Sequence, residues 1–193
     1  MDFNLNEFAK EVHKNAVDHG WWEGERCLEE IHALIHSEWS EALEEYRAGR
    51  PMVWHKCPYN GGMCENQEVH QGDFDCSKCT ADKRKPEGVA VELIDGCIRI
   101  LDLLAARPFK IDEDYVREGM EMYEGENEKV PVFINALHDR VSNPEESVSE
   151  SLSKAVGHVF QYLRNEGIDP VKVMLEKHEY NKTRPYKHGG KVC

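Results

Sequence analysis

The sequence is short of positive charge: 24 lysines and arginines face 37 aspartates and glutamates, for a formal net charge of -13. That balance argues against a nucleic-acid partner, because non-specific affinity for a polyanion rests on phosphate neutralisation by Lys and Arg. Any phosphate handled here needs a cation supplied locally, by a metal ion or a basic cluster. Long uncharged apolar runs are missing too, and none reaches the roughly 18–20 residues of a membrane span. The opening segment MDFNLNEFAKEVHKNAV has neither the basic n-region nor the apolar h-region of a signal peptide. Strand signals are scarce, with no Asn-Gly hairpin set between alternating runs. Seven cysteines, an odd number without a secretory signal, read as reduced thiols and a metal site rather than a disulfide framework. The expected location is cytoplasmic.

Helical periodicity, by contrast, is abundant. Residues 4–19 are amphipathic, with Phe3, Phe8, Val12, Ala16 and Val17 towards one face. Residues 24–48 repeat Leu28, Ile31, Leu34, Ile35, Trp39, Leu43 and Tyr46 at a 3.6-residue rhythm ended by Gly49 and Pro51. Residues 52–85 carry Cys, Gly, Asn and charge with no period, and read as an inserted loop. Pro86 suits a first helical turn and opens a helix over 86–106. Further helices are expected at 112–124, 130–141, 145–166 and 169–182, followed by an irregular tail. The fold class is an all-α helical bundle, one domain over 1–193 with the Cys-rich insertion at 52–85. An internal echo pairs IHALIHSEWS (31–40) with INALHDRVS (134–142) and IDEDYVREGMEMYEG (111–125) with IDPVKVMLEKHEYNK (168–182). Residues 130–182 are on that account a candidate degenerate second helical module.

The most apolar helix contains its own contradiction. In PEGVAVELIDGCIRILDLLAA (86–106), Glu92 and Asp95 are i and i+3, and Arg99 and Asp102 continue the same stripe. A helix apolar nearly all round is central, so the stripe must face something that compensates its charge. An ion pair of Arg99 with Asp102, or with the other acids, is one answer, and it accounts for one or two carboxylates. A second i, i+3 pair, Glu38 and Glu41, lies in HSEWSEALEEYR with Glu45 at i+7. Either pair alone reads as a solvated helix face. Two antiparallel helices side by side would gather all four acids, which repel unless a hard cation sits among them. Oxygen-only ligation selects Mg²⁺ or Mn²⁺ over zinc. An ion held this way can take phosphate oxygens and water in its open positions. His32 and His36, near the acids in sequence, read as packing or surface residues.

These residues resemble a known pattern. E-x-x-E on one helix followed by E-x-x-D on another is similar to the all-α nucleoside triphosphate pyrophosphohydrolases, the MazG-like and dimeric dUTPase superfamily. LIHSEWSEALEEYRAG and VELIDGCIRILD look like the paired metal-binding helices, and KHEYNKTRPYKHGGK (177–191) is similar to the C-terminal signature. The resemblance covers roughly residues 5–50, 86–112 and 165–191. It implies that Glu38, Glu41, Glu92 and Asp95 hold Mg²⁺, and that a nucleoside triphosphate, a dNTP in the expected case, is cleaved to monophosphate and pyrophosphate. It also implies a homo-oligomer, dimer or tetramer. Lys177, Asn181, Lys182 and Arg184 would meet the triphosphate, with Arg99 orienting the acids or touching phosphate and Trp22 or Trp21 against the base. The same basic residues also read as an ordinary helix end favoured by the macrodipole. One departure stands out: 50 residues separate Glu41 from Glu92, far more than the short connection usual in that group.

The insertion accounts for the gap. Cys57, Cys64, Cys76 and Cys79 are spaced C-x6-C and C-x11-C-x2-C, and the last pair is a good zinc half-site. With almost no apolar residues, a 34-residue loop either draws its folding free energy from a structural Zn²⁺, with His55 and His70 as substitute ligands, or carries free thiols on a mobile loop. Cys27 and Cys97 are expected in the core. The alternative function is a non-catalytic helical scaffold whose zinc knuckle binds a protein or nucleic acid.

Overall fold

Residues 3–58, 61–63, 84–125 and 128–190 are described by a computed structural model. The elements in chain order are α1 (Leu5–Asp18), α2 (Leu28–Arg47), β1 (Trp54–Lys56), β2 (Lys85–Glu87), α3 (Val89–Ala106), α4 (Glu113–Met122), α5 (Val130–Val141), α6 (Val148–Asn165), α7 (Pro170–Lys182) and a single turn, α8 (Lys187–Gly190). Among the described residues the architecture is helical apart from the β1–β2 ribbon and an isolated bridge between Lys56 and Met63. No helix among the described residues is long and apolar enough to cross a membrane.

The helices start where side chains satisfy the first free N–H groups. Asn4, Asp112, Ser147 and Asp169 cap α1, α4, α6 and α7 by accepting from backbone N–H groups two or three residues on. Cys27 caps α2 in the same way, its Sγ accepting from the Glu30 N–H at 3.4 Å. Cys27 is thus exposed rather than in the core, because α2 begins one residue after it; Cys97 is fully buried, as expected.

Pro86 does not open the central helix. It lies in β2, where it is in antiparallel register with His55. A missing N–H is tolerated in a two-stranded ribbon at an unpaired edge, so the same residue fits either role and the pairing with β1 decides. The helix begins three residues later, at Val89, after Gly88 with φ 111°. A Cβ on Gly88 would come within 2.7 Å of the Pro51 and Met52 carbonyl oxygens. That close approach seats the α3 N-terminus against the end of the α2 segment, and the Ala90 N–H donates to Met52 O at 2.9 Å.

α3 is the axis of the molecule: α1, α2, α6 and α7 all pack on it, and Leu93, Ile94, Ile100, Leu101 and Leu103 have no exposed surface. Each such side chain contributes about 1.5–3 kcal/mol by leaving water. The packing scheme repeats. α2 lies on α3 as α5 lies on α6, and α7 lies on α3 as α4 lies on α6; α3 meets α6, and α2 meets α5. The segments that echo each other in sequence, α2 with α5 and α4 with α7, hold corresponding places in that scheme.

Candidate metal centre

The approach of α2 to α3 sets the centre. Gly96 on α3 faces Trp39 on α2, and a Cβ there would collide with the indole Nε1. The fully buried indole instead donates to Leu93 O at 3.3 Å. With Trp39 seated flat on α3, its neighbour Glu38 is turned inward to 5% exposure, opposite Glu92 at 3%. One carboxylate oxygen each from Glu38, Glu41 and Glu92 then lies within 4.8 Å of the others. Glu41, one turn beyond Glu38, stays exposed at the mouth.

Two cations, the half-buried Arg99 and the buried Lys177, enter the same cluster. Arg99, a turn below Asp95, donates from both Nε and Nη2 to Glu38 Oε1 at 2.5 Å. Lys177 of α7, only 1% exposed, reaches Asp95 Oδ2 at 3.1 Å and Glu92 Oε2 at 3.8 Å. Asn181, one turn further along α7, donates to Asp95 Oδ1 at 3.4 Å, and its own Oδ1 is buried with no hydrogen-bond partner among the described residues. Four carboxylates against one guanidinium and one ammonium leave two negative charges when all are ionised. One divalent cation matches them.

The acidities follow from these contacts. Burial, then the charges of Asp95 and Glu38, push Glu92 up to about 8 against the pull of Lys177. Glu38 is raised as well, by burial and then by Asp95, with Arg99 opposing. Burial works in the same direction on Asp95, but Lys177 and Arg99 outweigh it and hold that carboxyl below the ordinary range. Without a further cation, then, Glu92 keeps its proton at neutral pH. Carboxyls held so far from their usual acidity by burial plus named charges are what a functional cleft shows.

The outer end of the stripe is arranged differently. Asp102 accepts from Trp22 Nε1 at 3.0 Å and lies 2.7 Å from His13 Nδ1, and the Trp22 and His13 rings meet edge to face at 5.2 Å. Its partners are therefore His13 and Trp22 rather than Arg99, which is drawn to Glu38. Burial raises the Asp102 pKa above its ordinary value, while His13, Trp22 and the more distant Arg99 pull it back down. Trp22 thus stands over the same face of α3 as the acids, about two turns along. His13 is the residue that sequence reasoning missed; it is 89 positions from Asp102, and no local pattern joins them.

The other basic residues of the C-terminal signature point elsewhere. Lys182 pairs with Glu179 at 2.5 Å on the exposed side of α7. Arg184 is fixed through its backbone carbonyl, 2.8 Å from His19 Nε2. Glu45 accepts from Trp54 Nε1 at 2.6 Å, which ties it to the ribbon. A cavity of about 660 Å³ near Arg26, Arg107 and Phe109 is lined by none of the four acids. Of the cysteine set, Cys57 is buried beside the ribbon, and Cys64, Cys76, Cys79 and His70 lie outside the described residues. His55 is paired with Glu176 at 2.5 Å. No protein-family model, curated protein or solved structure matches this chain.

Proposed function

We propose that the chain is a Mg²⁺-dependent nucleoside triphosphate pyrophosphohydrolase of the MazG-like type, acting on dNTPs in the first instance. The observation that carries this reading is the cluster of Glu38, Glu41, Glu92 and Asp95, with Glu38 and Glu92 buried and two negative charges left over. The donor set fits the ion: carboxylate oxygens only, three of them within 4.8 Å, one at the mouth, and no imidazole or thiolate. Mn²⁺ satisfies the same set. Bound there, the ion supplies Lewis-acid stabilisation of charge developing on phosphate oxygens.

The chain's own residues have separate tasks in the reading. Glu38, Glu41, Glu92 and Asp95 hold the ion. Arg99 locks Glu38 in one rotamer through two donors, a fork geometry that lysine cannot reproduce. Lys177 neutralises Asp95 and Glu92 from inside the fold, which offsets part of the negative charge that a triphosphate would meet. Asn181 donates to Asp95 and helps fix that carboxylate beside the ion. Trp22, held by Asp102, presents an aromatic ring at the far end of the stripe, suited to a base. Water adds at phosphorus, the bond between the α-phosphorus and the bridging oxygen breaks, and pyrophosphate leaves with the electron pair. The cysteine insertion holds a structural Zn²⁺ in the same reading, and the active form is a homo-oligomer.

Product analysis by mass on a panel of NTPs and dNTPs tests the proposal. Pyrophosphate and a monophosphate are expected in Mg²⁺, with a loss on the order of a thousandfold in Glu38→Gln and in Asp95→Asn, the several kcal/mol a catalytic ion supplies. Folded protein that turns over none of the panel would overturn it and favour the scaffold alternative, in which Arg99 and Lys177 complete a purely internal ion network.

A further inference from the structure

The second half of the packing scheme has a feature that the carboxylate centre does not use. α4 and α5 both pack on α6, and beside their C-terminal ends lies a cavity of about 540 Å³. Its walls include Tyr123 at the end of α4, Ala136, Asp139 and Arg140 of α5, and His158 of α6. These three helices hold the places that α7, α2 and α3 hold around the acids.

We propose that this cavity is a binding site for a neutral planar heterocycle of the nucleobase type, held by a hydrogen bond to His158 beside the Tyr123 ring. His158 is the residue that calls for a ligand. It is 2% exposed, it lines the cavity, and neither ring nitrogen has a hydrogen-bond partner among the described residues. A buried polar group left in that state is costly, and native proteins seldom keep one without a use. The space is many times the roughly 30 Å³ that one water occupies in the liquid. It falls within the range of about 300–1,000 Å³ usual for small-molecule sites.

The surroundings set the charge of the occupant. The last turns of α4 and α5 turn the negative ends of two helix dipoles towards the cavity, and Asp139 is exposed on its wall. An anion is disfavoured there. Burial, and then Arg140 and Lys154 against the pull of Glu146, keep a proton off His158. The same two cations oppose a cationic ligand. A neutral molecule is left. Neutral imidazole has one nitrogen that donates and one that accepts, so it can meet either a ring N–H or a ring nitrogen. The Tyr123 ring, 4.5 Å from the imidazole and braced edge to face by Phe133 at 5.3 Å, gives the site an aromatic wall. Ala136 contributes only a methyl group on the α5 side. The site is independent of the carboxylate centre, and the proposal does not rest on the hydrolase reading.

The test titrates free uracil, cytosine and adenine into the full chain without Mg²⁺. Proton–nitrogen NMR reads the His158 ring and the Trp22 indole separately, so a base at the carboxylate centre is told apart from one in this cavity. At least one base is expected to shift a His158 ring nitrogen saturably at millimolar concentration, while acetate and phosphate leave it in place. In Ala136→Phe, which fills the cavity from a half-exposed helix position, the His158 response is expected to weaken tenfold or more. No His158 shift with any of the three bases in folded protein would show a water-filled cavity and overturn the proposal. Shifts confined to Trp22, a saturable His158 response to acetate or phosphate, or a response in Ala136→Phe as tight as in the unaltered chain would overturn it too. If Ala136→Phe does not fold, Ala136→Met takes its place, and the other outcomes are read on the unaltered chain.

Discussion

Both halves of the packing scheme bury a lysine, but they treat it in opposite ways. In the α4–α6 half, Lys154 is paired with Glu118 at 2.9 Å, Glu150 at 2.8 Å and Glu146 at 3.4 Å, and Glu146 is shared with Arg140 at 2.6 Å. The glutamates ring a central cation, and Glu118 is half exposed to water. In the α2–α3–α7 half, Lys177 lies between Glu92 and Asp95, which are themselves largely buried, and Arg99 pairs with the buried Glu38. There the negative charge exceeds what the protein supplies. A buried charge that its neighbours satisfy is architecture; a buried charge left in surplus is a place for something from outside.

The strongest way to break that contrast is to remove each lysine. Lys154→Met is expected to destabilise the fold by about 3–5 kcal/mol, the cost of stripping one partner from a buried ion pair, and Mg²⁺ will not restore it. Lys177→Met is expected to lose a similar amount in metal-free protein but to recover much of it in Mg²⁺, because an ion can replace the ammonium. Thermal denaturation with and without Mg²⁺ reads both, and equal rescue of the two variants would erase the distinction.

Titration separates the halves from a different direction. His158, 2% exposed on α6 with neither ring nitrogen hydrogen-bonded among the described residues, is pushed down to about 3 by burial and then by Arg140. Its folded state resists protonation, so it costs stability as the pH falls from its ordinary 6.5 towards 3. Glu92 is raised from 4.5 to about 8, so its contribution is full below 4.5 and is lost as the pH rises through 8. The two windows overlap in the middle and separate at the ends. Metal-free protein is expected to lose about 2 kcal/mol between pH 6.5 and 8 from Glu92, at roughly 1.4 kcal/mol per unit. A comparable loss is expected between pH 4.5 and 3 from His158. Glu92→Gln should flatten the alkaline limb and His158→Phe the acid limb. Saturating Mg²⁺ should flatten the alkaline limb alone.

Gly96→Ala sharpens the point on packing. The new methyl must displace the Trp39 indole, and overpacking of this kind costs more than about 1 kcal/mol. Because Trp39 aims Glu38, weaker Mg²⁺ binding by calorimetry should accompany the loss of stability. At the bottom of the scale, Lys182→Ala removes an exposed i, i+3 pair and should change stability by less than about 0.5 kcal/mol.

Much of this was legible in the chain, for reasons that the particular elements make plain. α5 starts and stops where its periodicity and Pro131 place it, and α7 starts after Asp169 as its cap requires. The acid stripe of α3 was visible because charge inside an apolar helix violates a simple rule. What stayed hidden depends on distance along the chain or on chemistry that serves two purposes. Pro86 fits a helix start and a ribbon edge alike. Cys27 has a sulfur that can pack or cap. Lys177 looks like a surface residue until α7 is laid on α3, 82 positions from Asp95, and Trp22 finds Asp102 only across 80.

The ribbon has a consequence for how the chain tolerates change. Between β1 and β2 the chain departs and returns across neighbouring strands, about 5 Å apart. A segment whose ends are already held together adds closure entropy only slowly, about 0.6 kcal/mol for each doubling of its length. A change of length between Lys56 and Lys85 is therefore expected to cost the α2–α3 pair little closure entropy. That stretch can be shortened, exchanged or extended while Glu38 and Glu92 keep their places, which makes the stem a natural graft point in this fold.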